Sequence, residues 1–184
     1  MKTHFFFAVP LPTTLKQKIH SSLVDLKEES FFKKWVHEED YHITLAFLGD
    51  APEEKLDKAK SIVKKAMESF PTFIITTSNF GTFGKRDSPR IFWLGLEQST
   101  QLADLQKLVY NACMEAGFSL DKKPFNPHIT VARKWNKDEA FTSKWLESFQ
   151  PEQSLTIDVT EIVLFQTHLN KTPKYEPIYT IPLR

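Results

Sequence analysis

Apolar positions along the chain recur at two spacings, one near two residues and one near 3.6, and the changes between them mark out its elements. Residues 1–10, with Phe5-Phe6-Phe7-Ala8-Val9 at their centre, read as a first strand rich in aromatic residues. Pro12 opens a helix whose Leu15, Ile19, Leu23 and Leu26 return at helical spacing. A charged connection follows, and Trp35-Val36 begins an extended segment running into Tyr41-His42-Ile43-Thr44-Leu45-Ala46-Phe47-Leu48-Gly49. Pro52 sits where a second helix should start, its apolar stripe formed by Leu56, Ala59, Ile62, Val63, Ala66, Met67 and Phe70. Pro71 stops it. Residues 72–80 and 90–96 read as strands on either side of a turn or loop over 81–89. A third helix is expected over 100–116, with Leu102, Leu105, Leu108 and Val109 inward and Gly117 as its stop. Pro127 can stand at the first residue of the next strand, where a missing N–H is tolerated. Asn136 and Glu139 suggest a cap for a short fourth helix carrying Phe141, Trp145 and Phe149, and residues 155–168 and 175–183 close the chain as strands.

The chain repeats itself within this pattern. His42-Ile43-Thr44-Leu45-Ala46 returns as His128-Ile129-Thr130-Val131-Ala132. His-x-Thr alone would recur by chance with odds of roughly 0.4, whereas the matching Ile, aliphatic and Ala positions lower this to about 2 in 10,000. Along an extended backbone, strict alternation puts His42, Thr44, Ala46 and Leu48 on one face and His128, Thr130 and Ala132 on another. The halves follow one plan: strand, helix, motif strand, helix, further strands. That order predicts an α+β fold of largely antiparallel sheets, two lobes facing their His/Thr strands across a shared groove.

Bulk properties narrow the chemistry. At 184 residues, 41% of them hydrophobic and 16 of them Phe, the chain is long enough for one sizeable domain over 1–184. Lys and Arg number 24 against 23 Asp and Glu, which gives no broad electrostatic footprint for a long duplex, so a nucleic acid would be gripped locally. The one cysteine, Cys113, permits no intrachain disulfide, reads as a small core residue and suits a reducing cytoplasm. The N-terminal apolar run is short and cut by Pro10 and Pro12, so neither a signal peptide nor a membrane span is expected.

Two facing His-x-Thr pairs suit acid–base chemistry at phosphorus. One imidazole can be neutral while the other is protonated, giving a general base for a nucleophile and a general acid for a leaving oxygen. Thr hydroxyls two residues further on, about 7 Å along the strand, can donate to non-bridging phosphate oxygens. A strained cyclic phosphodiester opened by water fits this arrangement. The motifs offer two imidazoles and no companion Cys or acidic ligand, so no metal and no cofactor is expected.

These residues resemble the 2H phosphoesterase superfamily, whose signature is a pair of His-x-Thr-aliphatic motifs. The strings H-I-T-L-A-F-L-G and N-P-H-I-T-V-A-R, the opening F-F-A-V-P-L-P and the segment G-T-F…R-I-F-W-L-G are similar to its RNA 2′,3′-cyclic phosphodiesterase branch, formerly called 2′-5′ RNA ligases. The resemblance spans nearly the whole chain and implies a bilobal fold with pseudo-two-fold symmetry. It also implies hydrolysis of 2′,3′-cyclic phosphate RNA ends to 2′-phosphomonoesters, with reversible 2′-5′ ligation as a side activity. It places His42 as proton donor and His128 as proton acceptor, with Thr44 and Thr130 holding the phosphate. Spacing alone does not say which His is which. The implied partner is the 3′ end of a single-stranded or tRNA-derived RNA, met by a cytoplasmic monomer away from membranes.

Arg133 stays open between two readings. Strict alternation turns it away from His128, while a bulge or strand end would return it to the phosphate. Phe5 and Phe7 share a strand face that could stack a base. His4, His20, His37 and His168 read as ordinary structural or surface histidines. Two other functions compete: a related enzyme acting on ADP-ribose cyclic phosphate or 2′-5′ oligonucleotides, and a noncatalytic module that binds RNA ends.

Overall fold

The computed structural model describes residues 3–184, so Met1 and Lys2 of the expected first strand lie outside the described residues. Strand β1 (Phe5–Pro10) leads into helix α1 (Thr13–Glu28), which buries Leu15, Ile19 and Leu23. Strand β2 (Phe32–Trp35) and a 3-10 turn (Glu38–Asp40) precede β3 (His42–Gly49), the first motif strand. Helix α2 (Glu53–Met67) carries Glu53 and Glu54 in its first turn and Lys64 and Lys65 in its last, matching the helix dipole. Strands β4 (Phe73–Gly84) and β5 (Pro89–Leu96) form a hairpin. Helix α3 (Thr100–Glu115) is capped by the Ser99 hydroxyl. It is closed by Gly117 at φ 99°, whose N–H and that of Phe118 return to Met114 and Cys113. The second motif strand β6 (His128–Trp135), α4 (Ser143–Ser148), β7 (Thr156–Val159), β8 (Glu161–Thr167) and β9 (Tyr175–Pro182) complete the chain.

The strands form two antiparallel sheets, ordered β3-β1-β8-β9 and β2-β6-β5-β4-β7. This is the expected α+β architecture of two lobes flanking a cleft. The lobes are interleaved rather than consecutive. The segment expected to run unbroken from Trp35 into the first motif divides, because β2 crosses to pair with β6 and the 3-10 turn resets the backbone before β3. Residues 155–168 also divide, at Thr160. Ile157 and Val159 are buried against β4, whereas Ile162, Val163 and Leu164 are buried in the other sheet.

Three local expectations are corrected. The loop expected over 81–89 shrinks to residues 85–88, because Gly81, Thr82 and Phe83 pair with Trp93, Phe92 and Ile91. Helix α4 takes Thr142, not Asn136, as its N-cap and leaves Phe141 and Phe149 just outside. Asn136 instead donates to the Ser30 carbonyl and the Glu139 carbonyl receives Trp135 Nε1. Leu108 flanks the buried stripe of α3 at 38% exposure, while Ala112 and Cys113 lie inside it. Cys113 is a core residue, its thiol pushed up to about 12 by burial.

Candidate active site

Each motif histidine is fixed in the same way. Nδ1 of His42 donates to the carbonyl of Asp40 at 2.8 Å, and Nδ1 of His128 donates to the carbonyl of Asn126 at 2.6 Å. A carbonyl can only accept, so Nδ1 carries the proton in the neutral ring and Nε2 holds the lone pair. His42 Nε2 receives the Thr44 hydroxyl at 2.9 Å. Among the described residues no such bond joins His128 to Thr130, which lies two positions along on the same side and opposite Trp93.

The motif strands share a second feature. In β3 the pairing with β1 runs Ala8↔Thr44 and then Phe7↔Ala46, leaving Leu45 as an extra residue. In β6 the pairing with β5 runs Trp93↔Thr130 and then Phe92↔Ala132, leaving Val131 extra. Each copy of the repeat therefore carries a bulge at the aliphatic position after Thr, which reverses the alternation beyond it. The expected shared face ends there. Ala46, Leu48 and Ala132 are buried, and the groove side passes to Phe47 and Arg133, each five residues after its histidine. The bulge turns Arg133 to the side of the motif histidines. Its charge acts on both imidazoles, and it donates toward the Tyr175 hydroxyl.

Strands β3 and β6 approach one another across the two sheets, and Thr44, Phe47 and His128 line one cavity of about 520 Å³ with Tyr110 and Phe125. Burial pushes His42 down from 6.5 to about 4; the Asp40 carbonyl and carboxylate oppose this, and the charges of His128 and Arg133 reinforce it. Burial, then Arg133, also lowers His128 against the opposing bond to Asn126. Both rings are thus neutral in the free protein near pH 7.

Aromatic side chains hold the rings in place. Phe6 lies 4.7 Å from the His42 centroid and Tyr175 meets the same ring edge-on at 5.2 Å. Phe83 meets His128 edge-on at 4.9 Å. The proposed base-stacking edge of Phe5 and Phe7 is overturned: both are buried in the core, and Phe6, between them, is the side chain against His42. The exposed aromatic in the groove is Phe47, at 56%.

Asp40 and Tyr175 were not indicated by the sequence pattern. Asp40 is buried at 4% exposure, and its two carboxylate oxygens accept the backbone N–H groups of Tyr175 at 3.0 Å and Lys174 at 3.1 Å. Its carbonyl meanwhile orients His42. An acidic residue two before the motif histidine is the one feature of the sequence that could have singled out Asp40, and the second motif, with Asn126 there, does not repeat it. Among the described residues, no cluster of three or more His, Cys, Asp or Glu could hold a metal ion, and no helix is long and apolar enough to cross a membrane.

Two antiparallel sheets, each turning one His-x-Thr strand toward a common groove, define a two-histidine phosphoesterase fold. The family model described as the 2′-5′ RNA ligase superfamily matches residues 13–171, and the chain belongs to that family. It is 46% identical over 183 residues to an RNA 2′,3′-cyclic phosphodiesterase of Geobacillus stearothermophilus, covering 99% of this chain but 58% of that protein. It is 34% identical to an RNA 2′,3′-cyclic phosphodiesterase of Bacillus subtilis (strain 168), covering 100% of this chain and 98% of that one. Among solved structures, Escherichia coli LigT complexed with 3′-AMP superposes with a TM-score of 0.81 at 25% identity, covering 100% of this chain and 99% of the other.

Proposed function

We propose that this protein hydrolyses RNA 2′,3′-cyclic phosphodiester ends to 2′-phosphomonoesters, with two histidines as acid and base and no metal. The observation that carries the reading is the matched pair of rings, each with Nδ1 locked on a backbone carbonyl and Nε2 as its reactive atom. The relatives named RNA 2′,3′-cyclic phosphodiesterase support the substrate.

In this reading a water molecule attacks phosphorus in line with the 3′ oxygen. His128 Nε2, free of any bond to its own Thr among the described residues, takes the proton from that water. The bond from phosphorus to the 3′ oxygen breaks, and His42, which takes a proton from solvent onto Nε2 as the anionic diester binds, gives that proton to the oxygen. The products are a 2′-phosphomonoester and a 3′ hydroxyl. Thr44, Thr130 and Arg133 hold the non-bridging oxygens as charge develops. The same displacement with an RNA 5′ hydroxyl in place of water would form a 2′-5′ linkage and release the 3′ oxygen, and its reversal would cleave that linkage. The protein acts as a cytoplasmic monomer built as one bilobal domain over 1–184, on single-stranded or tRNA-derived ends.

The test is product analysis of a short RNA bearing a 2′,3′-cyclic phosphate, with EDTA present and absent. The expected product is the 2′-phosphate at an EDTA-insensitive rate, with His42→Asn and His128→Asn each slowing hydrolysis by about 10²–10⁴-fold. A large loss on chelation, restored by one divalent ion, refutes the metal-free mechanism. Loss of less than tenfold in both variants refutes the two-histidine mechanism.

A further inference from the structure

The second cavity beside the groove is basic. Its volume is about 610 Å³, and Lys27, Lys34, Lys171, Lys174 and Arg133 line it. Two carboxylates, Glu38 and Asp40, also line it, and that of Asp40 is already engaged by two backbone amides. Five cations against two carboxylates is a local excess in a chain whose net charge is +1. Among the described residues none of the five cations has a carboxylate within 4.0 Å, although Lys16, Lys60 and Lys123 elsewhere do.

The register of the sheet adds an independent observation. Lys34 on β2 stands directly opposite Arg133 on β6. Directly opposed like charges on neighbouring strands destabilise a sheet. The fold gains nothing from this pair, whereas an anion between the two side chains would turn the repulsion into attraction. Arg133, whose charge reaches both motif histidines, and Asp40, whose carbonyl holds His42, both stand in its wall, so the cavity adjoins the groove. Trp35 stands in the same wall, half-buried, with its Nε1 fixed on the Phe32 carbonyl at 3.1 Å. Unpaired cations beside a fixed indole ring are the elements of a single-strand binding tract.

We propose that this cavity holds the phosphodiester backbone of single-stranded RNA on the 5′ side of the end being cut, so that the protein prefers oligonucleotides to mononucleotides. The proposal rests on the reading of the groove as a cyclic phosphodiesterase. Lys27, Lys34 and Lys171 contact upstream phosphates, and Arg133 divides its charge between the reacting phosphate and its neighbour.

The experiment compares wild type with the triple variant Lys27→Gln, Lys34→Gln, Lys171→Gln. The three side chains are exposed. A control with the same charge change, Lys58→Gln, Lys64→Gln, Lys65→Gln, alters the exposed side of α2, outside the cavity. The substrates are a 2′,3′-cyclic mononucleotide and a single-stranded tetranucleotide with the same cyclic end. Binding of a tetranucleotide ending in a 3′ hydroxyl is measured separately by fluorescence anisotropy across a salt series. In the cavity variant kcat/KM should fall at least tenfold on the tetranucleotide and stay within twofold on the mononucleotide. The slope of log Kd against log salt should become shallower by about 2, at ~0.7 for each phosphate of a single strand that the lysines no longer neutralise. Equal losses on both substrates, an equal loss in the α2 control, or an unchanged salt slope overturns the proposal. If wild type cleaves neither substrate, the phosphodiesterase reading fails while the anisotropy slopes still decide whether the cavity binds RNA.

Discussion

Burial holds His42 at about 4 in the free protein, so it is neutral at pH 7, whereas the proposed donor has to carry a proton when the cyclic diester lies beside it. The diester must supply the difference. Raising the ring from about 4 to ~7 requires about 4 kcal/mol of preferential interaction with the imidazolium. A unit negative charge ~4 Å away at an effective dielectric constant of ~20 provides about 4 kcal/mol. One phosphate at contact distance is therefore enough, and binding should draw a proton from solution. His128→Asn makes this measurable, since the variant binds a 2′,3′-cyclic nucleotide without turning it over and leaves His42 as the nearby group free to titrate. Calorimetry in two buffers of different protonation enthalpy should give about half a proton taken up per ligand at pH ~7 and nearly one at pH ~6. Below pH ~7 the Kd should tighten by about tenfold per pH unit, because the complex binds more protons than the free protein. Adding His42→Asn should abolish the uptake. Tight binding with no uptake, or uptake that survives His42→Asn, refutes His42 as the proton donor.

The free protein should show the complementary effect. Between about 4 and 6.5 the unfolded His42 binds a proton that the folded one refuses, so stability rises with pH across that window and about 3 kcal/mol is lost on acidification, read from urea midpoints. Phe47→Ala should raise KM by about 5–150-fold on substrates that stack a base there, with kcat little changed; an unchanged KM rules out stacking on this ring. Gly81→Ala should lower both stability and turnover, because a Cβ at 81 collides with the Trp93 ring, which neighbours His128. Thermal melts and kcat on the same preparation check this, and a normal kcat would show that Trp93 does not position the ring. Asp40→Asn keeps one of two acceptor oxygens for the Lys174 and Tyr175 amides and should reduce kcat more than KM. A variant affected in stability alone would mark Asp40 as structural.

The sequence made the two motif strands and the four helices legible for a simple reason. Helical stripes such as Leu56, Ala59, Val63 and Met67 and the His-x-Thr alternation are periodic over short spans, and period is a local property. The histidines and threonines were found this way, within a duplicated string. The course of each motif strand beyond its Thr was not legible. A bulge is a relation between a strand and its partner, and nothing in T-L-A or T-V-A itself says that Leu45 or Val131 lacks an opposite residue. The positions of Arg133 and Phe47 depend on it. The crossing of β2 to the far sheet is non-local in the same sense. So is Phe6: of three consecutive Phe, only the pairing of β1 with β3 decides which one meets His42.

Asp40 joins the beginning of the chain to its end. Through its carbonyl it aims His42, and through its carboxylate it grips backbone amides 134 and 135 residues later. A polypeptide made from its N-terminus emerges with the first histidine in place by sequence but not by orientation. Until β9 docks, the turn that carries Asp40 is held by its short-range bonds to His37 and Glu38 and by Lys16 of α1, which donates to the Glu39 carbonyl, while the Asp40 carboxylate lacks the Lys174 and Tyr175 amides. The setting of His42 is therefore complete only once β9 has docked on β8. A protease nick between residues 168 and 174 should act in the opposite direction, loosening the grip of the Lys174 and Tyr175 amides on Asp40 and lowering turnover.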